Sequence, residues 1–234
     1  MTTSPDRAPP ALVPAWPAAT VVLLRDAQAG VEALLVRRNA QLAFHGGAWV
    51  FPGGRIDPED GHAGEATDEM PAARRAACRE AWEEAGVQLL PENLVAFARW
   101  VTPEGLPKRF DTWFFAARAG ADIVRVDGGE IHAHQWIRPA DALQAHRAGT
   151  IDLPPPTWVT LRQMSEFATV DTVLTTIARA AIEVFVPRIC MVPDGACSLY
   201  GGDGAYDSGD VDGPGPRHRL WMLESGWRYE RCDA

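Results

Sequence analysis

Apolar and polar positions sort this chain into short strands and helices separated by turn-rich loops. Ala19 to Arg25 (ATVVLLR) and Glu32 to Arg37 (EALLVR) are aliphatic, β-branched runs, and Asp26-Ala27-Gln28-Ala29-Gly30 between them carries turn residues, so the pair predicts a hairpin. Trp49 to Phe51 predicts a short strand entering a turn at Gly53-Gly54. The loop 55–70 is rich in Gly, Asp and Glu, and Pro71, a first-turn residue, opens a helix after it. Within that helix Cys78, Trp82 and Ala85 recur at i, i+4 and i+7, which predicts the buried stripe, and Gly86 reads as a left-handed residue ending it. Leu94 to Val101 and Arg109 to Arg118 predict two more strands joined by Thr102 to Lys108, and Gln135 to Ile137 a brief one. Pro139 starts a helix in the Pro-first manner, and Thr157 to Thr169 and Asp171 to Glu183 predict two more. Val184 to Val192 and Arg219 to Leu223 read as strands around Gly201 to Pro216, a stretch with six Gly, four Asp and two Pro that reads as a flexible solvated loop. The order of strands, helix, strands, helix favours an α+β sandwich on a mixed sheet over a doubly wound array.

Composition narrows the class. With 234 residues, 47% apolar and 23% charged, the chain has the profile of a globular protein with an ample core. A net charge of −9 argues against nucleic acid or an acidic membrane surface as partner, while a small phosphorylated substrate stays open because bound divalent cations reverse the local charge. Residues 1–17 hold five prolines and lack the pattern of a signal peptide, so a disordered N-terminal arm is expected, and no apolar run approaches a membrane span. Cys78, Cys190, Cys197 and Cys232 show no CxxC spacing; reduced thiols and a cytoplasmic location are the expectation.

The chemistry concentrates in Arg79-Glu80-Ala81-Trp82-Glu83-Glu84-Ala85-Gly86-Val87, preceded by Phe51-Pro52-Gly53-Gly54. Glu80, Glu83 and Glu84 fall at i, i+3 and i+4, so on a helix they crowd into one stripe and repel one another. Three hard oxygen donors at that spacing suit Mg²⁺ or Mn²⁺ bound partly through water and a substrate phosphate.

This run resembles the Nudix box: Gly, five residues, Glu, seven residues, then Arg-Glu-apolar-any-Glu-Glu-any-Gly-apolar. The second half matches at Arg79, Glu80, Ala81, Glu83, Glu84, Gly86 and Val87, whereas Gly54 lies 25 residues before Arg79, so the loop from Arg55 to Pro71 carries extra residues. Pro71 stands where the pattern, counted back from Arg79, has Glu; Glu65 and Glu69 are the nearby substitutes. The resemblance implies an α/β/α sandwich over 18–170, with 171–234 as an added helical and β extension on the same domain. It implies Glu80, Glu83 and Glu84 as metal ligands, a backbone carbonyl at Gly53 or Gly54 reaching the metal, and Arg79 orienting the carboxylates. Glu130, six residues before Trp136 and after Asp127-Gly128-Gly129, matches the spacing of the family's later Glu and is the candidate fourth ligand or general base. His132 and His134 alternate on an extended segment, where ordinary surface histidines are commoner than ligands.

The segment Leu34 to Gly54 also keeps the layout of the Nudix coenzyme A diphosphatases, with Val36 and Ala43 departing from it. The long loop, Thr102-Pro103 followed by Arg109-Phe110-Asp111-Thr112, and Pro155 to Leu161 look like the subgroup that includes the mammalian peroxisomal Nudix type 19 enzyme. The implied substrate is a nucleoside diphosphate derivative, coenzyme A or acyl-coenzyme A, with Arg37, Arg38 and Arg109 as candidates for its 3′-phosphate. ADP-ribose or NADH hydrolysis and a non-catalytic binding module are the alternatives, and a homodimer is compatible with each.

Overall fold

The computed structural model describes residues 13–41, 46–61, 69–121, 123–126 and 128–232. Glu65, Asp127 and Leu42-Ala43 of the coenzyme A layout lie outside the described residues. The architecture is α+β, as the order of elements predicts. β1 (Ala15–Ala27) and β2 (Gly30–Arg38) form the expected hairpin, and β3 (Trp49–Val50) continues it. β4 (Gly53–Arg55) pairs with β1, which also runs parallel to β6 (Arg109–Arg118); β6 pairs antiparallel with β5 (Val95–Val101). β7 (Ile131–Ile137) pairs with β2 and is longer than the sequence predicts. β1 begins four residues earlier than the apolar run, inside the segment expected to be a disordered arm, because its parallel ladder with β6 extends back to Ala15.

β1 shows how the sheet is buried on both faces. Ala19, Val21 and Leu23 join a core under helix α1 (Glu69–Ala85), while Val22 and Leu24 join one on the opposite face with helices α2 (Pro139–Arg147), α3 (Pro155–Met164) and α4 (Val170–Arg179). The expected stripe on α1 is corrected. Trp82 is 55% exposed, and the buried residues are Ala73, Ala76, Ala77, Ala81, Glu84 and Ala85. Alanines let the helix axis close on the sheet, which brings Glu84 and Glu80 down beside Gly53 and Gly54, while Glu83 stays exposed.

The C-terminal segment departs most from expectation. Val184 to Val192 is two strands, β8 (Glu183–Phe185) and β9 (Arg188–Val192), interrupted at Val186-Pro187 where proline has no amide to donate. β8 adds to the main sheet beside β5, while β9, β10 (Gly195–Leu199), β11 (Arg217–Leu223) and β12 (Gly226–Cys232) form a separate four-stranded antiparallel sheet. Gly201 to Pro216 is not a merely solvated loop. Asp203 within it is buried and accepts from the backbone N–H groups of Ala205 and His218 and from the buried Arg219 guanidinium. Those bonds outweigh burial and hold the Asp203 carboxyl below the usual carboxylate range.

Candidate active site

α1 and β4 meet where Gly53 and Gly54 pass the carboxylate face of the helix. A Cβ on Gly53 would sit 2.4 Å from the Ala19 carbonyl and 2.7 Å from Thr20 Cα, and one on Gly54 would sit 2.4 Å from Glu80 Oε1. At Gly53 only glycine permits this approach, because the obstacle is backbone, whereas at Gly54 it is the end of the Glu80 side chain. The Gly53 N–H donates to Glu84 Oε2 at 3.0 Å, tying the strand to the helix. Gly86 ends α1 in the left-handed region at φ +67°, as predicted.

Arg79 organises the carboxylates from beneath. Its Nη1 donates to Glu80 Oε1 at 2.9 Å and to Glu83 Oε2 at 3.0 Å. Its Nη2 reaches the Arg55 carbonyl at 2.9 Å, and Nε and Nη2 grip both oxygens of Asp60 at 3.1 and 2.9 Å. Asp60 is 5% exposed and follows Gly54 with five residues between them, the spacing of the first Glu of the box. The extra residues therefore enter after Asp60, not throughout the loop from Arg55. Glu69 does not fill this position; it starts α1 and faces Arg99 on β5 at 3.3 Å. Counting forward from Gly54 rather than back from Arg79 finds Asp60 in the sequence.

Glu130 lines the same cleft. The backbone N–H of Asn39, at the end of β2, donates to the Glu130 carbonyl at 2.7 Å, and the Asn39 amide donates to the Gly129 carbonyl at 3.0 Å, so β2 carries the Glu130 loop. Burial pushes the Glu84 carboxyl up to about 8, opposed by the Gly53 N–H and the Arg38 charge and reinforced by Glu80 and Glu130. Glu80 is likewise raised, by burial first and despite Arg79. Buried acids that raise one another form a site short of positive charge.

One cleft of about 900 Å³ collects these groups: Gly53, Gly54, Glu80, Glu83, Glu84 and Glu130 line it, with Arg38. Arg38 Nε is buried without a hydrogen-bond partner, leaving a donor at the carboxylate end. Arg37 lies instead in a separate hollow beside Trp49 and His146, and Arg109 is buried with Nε and Nη1 on the Thr102 and Val13 carbonyls. The structure thus does not bring these two arginines to the carboxylates. Arg55 and Lys108, which the sequence reading passed over, do line the cleft. His132 and His134 are exposed on β7 and outside it.

Among the described residues no group of three or more His, Cys, Asp or Glu side chains already converges as a metal cage. Arg79 holds Glu80 and Glu83, and the Gly53 N–H holds Glu84. The donor set nevertheless fits a hard divalent cation. It consists of carboxylate oxygens beside the Gly53-Gly54 backbone, in a pocket where neighbouring acids and burial disfavour the anionic form of Glu84.

Comparison with known proteins gives the same picture. Residues 14–158 match the NUDIX domain family. The human acyl-coenzyme A diphosphatase NUDT19 is 32% identical over 116 residues, covering 47% of this chain and 31% of that protein, and the Xenopus laevis NUDT19 is 23% identical over 303 residues, covering 86% and 80%. The Caenorhabditis elegans peroxisomal coenzyme A diphosphatase ndx-8 is 40% identical over 82 residues, covering 33% of this chain and 31% of it. The chain spans 55% of a further Nudix relative from that nematode, so several of these relatives are much longer than the matched part. A Nudix hydrolase from Alicyclobacillus acidocaldarius superposes with a TM-score of 0.61 at 25% identity, covering 72% of this chain and 99% of that one. With the match to the domain spanning more than half of the chain, and the box residues gathered in one cleft, the protein belongs to the NUDIX domain family.

Proposed function

We propose that the protein is a divalent-metal-dependent hydrolase of the phosphoanhydride in coenzyme A or acyl-coenzyme A, giving 3′,5′-ADP and the 4′-phosphopantetheine half. The observation that carries this reading is the meeting of Glu80, Glu83, Glu84 and Glu130 with Gly53-Gly54 and Arg38 in one cleft. Mg²⁺ or Mn²⁺ held by these carboxylates supplies charge neutralisation on the diphosphate and acidifies bound water. The chain's own residues do the positioning. Asp60 fixes Arg79, Arg79 draws Glu80 and Glu83 together, and the two glycines let β4 pass close against Thr20 and the Glu80 carboxylate. Glu130, whose backbone carbonyl Asn39 holds, lines the same cleft, and its role in this proposal is that of a further ligand or general base.

The coenzyme A half of the proposal draws support from relatives named as acyl-coenzyme A and peroxisomal coenzyme A diphosphatases. The cleft also offers Arg38, Arg55 and Lys108 as cations for phosphates. The intact carboxylate set argues against a non-catalytic module. The test is metal-dependent hydrolysis across coenzyme A, dephospho-coenzyme A, ADP-ribose and NADH. Coenzyme A should be preferred over its dephospho form by about tenfold in kcat/KM, because a site built around a charged group rejects the analogue lacking it. Equal efficiency on the two defeats the coenzyme A assignment and moves the other diphosphates to first place.

A further inference from the structure

Residues beyond the segment matched to the family supply one wall of the cleft. β8 enters the main sheet with Phe185 opposite Trp100, and the two rings stack at 3.9 Å and 1°. From this anchor the chain runs along the cleft through Pro187 and Ile189. The antiparallel register then sets Ser198 opposite both Ile189 and Leu220, and Met222 opposite Ala196. Residues opposite one another on a ladder, or two apart on a strand, share a face, so Ile189, Ser198 and Met222 stand together on the face turned to the core. All three line the cleft, with Pro187 beside them and Trp100 and Phe114 across from the main sheet.

The composition of this wall differs from that of the carboxylate end. Its side chains are apolar apart from one hydroxyl, so it offers a phosphate no positive charge. Two polar atoms of the lining residues here are unpaired: Ser198 Oγ on this wall and Trp100 Nε1 across from it, in residues only 1% and 4% exposed. The Ser198 hydroxyl neighbours the Tyr200 phenol without meeting hydrogen-bond geometry. Buried donors left without acceptors are rare in folded proteins and point to a partner that arrives with a ligand.

We infer that the C-terminal sheet is the specificity wall of the enzyme: the compartment between Ile189, Ser198 and Met222 and the Trp100 side takes the non-nucleotide arm of the substrate, an apolar chain interrupted by amide or thioester carbonyls. Ile189 and Met222 contact the chain's methylenes, and Ser198 and Trp100 donate to its carbonyl oxygens. This rests on the hydrolase reading above and adds to it residues outside the matched domain.

The test is kcat/KM with free coenzyme A and with butanoyl-, octanoyl- and hexadecanoyl-coenzyme A, alongside ADP-ribose and NADH. In the unmodified protein octanoyl-coenzyme A should exceed free coenzyme A by about tenfold, the discrimination a few buried methylenes provide. Ile189 is 43% exposed, so Ile189→Glu should fold, and it should bring that ratio near one. Ser198→Ala should lower kcat/KM for the free and acylated forms together by about tenfold, as expected for one lost hydrogen bond. A flat chain-length profile in the unmodified protein overturns the inference, and that measurement stands whether or not a variant folds. An unchanged ratio in an Ile189→Glu protein that melts like its parent also overturns it. Cleavage of ADP-ribose or NADH, with neither coenzyme A nor its acyl forms hydrolysed, overturns instead the reading beneath.

Discussion

At the scale of single residues, Asp60 and Arg79 position the carboxylates of α1 on which the proposed hydrolysis depends. Arg79 has donors on two carboxylates of α1, and both oxygens of Asp60 fix the fork from which they reach. Asp60→Asn keeps the shape and removes the charge, so Arg79 should lose its orientation while the fold survives. Turnover at fixed metal should fall by about 10–100-fold, the usual effect of removing a group that orients ligands, and the metal concentration for half-maximal rate should rise. An unchanged metal dependence would show that Arg79 is held without Asp60. The Glu cluster was legible in the sequence because its signal is local, three residues at helical spacing. Asp60 was not, because an insertion separates it from the motif and counting back from Arg79 lands on Pro71.

At the scale of elements, α1 sits close to the sheet because its buried stripe is alanine, and β8 is fastened by its ladder to β5 and by the stack of Phe185 on Trp100. Phe185 is buried between Trp100 and Tyr200, so Phe185→Ala should cost about 3–5 kcal/mol in denaturant unfolding. A loss below about 1 kcal/mol would mean that the C-terminal sheet is held elsewhere. The same sheet depends on the buried Asp203–Arg219 pair, and Asp203→Ala should cost about 3–5 kcal/mol because it leaves Arg219 uncompensated. The pH sign follows from the lowered carboxyl. A folded-state pKa below the unfolded value, about 3.9, gives stability that is full above that pH and is lost as pH falls through the folded value. Acid titration of stability should therefore be steeper below about pH 4 in the parent than in Asp203→Asn. The hairpin and β5–β6 were readable from aliphatic and aromatic runs. β10 (GACSL) and β12 (GWRYERC) were not, because small or charged residues hide strands whose order comes from pairing with distant neighbours.

At the scale of the whole molecule, two sheets share one cleft. The main sheet and α1 bring the carboxylates, and the C-terminal sheet brings the apolar wall, in a single space of about 900 Å³. The carboxylate end could be anticipated from motif spacing, whereas the wall depends on contacts between residues far apart in sequence, such as Trp100 and Phe185, 85 positions apart, that no local pattern encodes. The division predicts that changes at the wall alter which substrate is preferred, while changes on α1 alter whether any is cleaved. The central claim is that Glu83 and Glu84 act on a metal-bound phosphoanhydride. Its most direct test is the formation of 3′,5′-ADP from coenzyme A, followed with Mg²⁺ or Mn²⁺ in the parent, Glu83→Gln and Glu84→Gln proteins. The account predicts turnover in the parent that chelation abolishes, and a loss of orders of magnitude in both variants with melting temperatures retained. Turnover within a few-fold of the parent in both variants would contradict it.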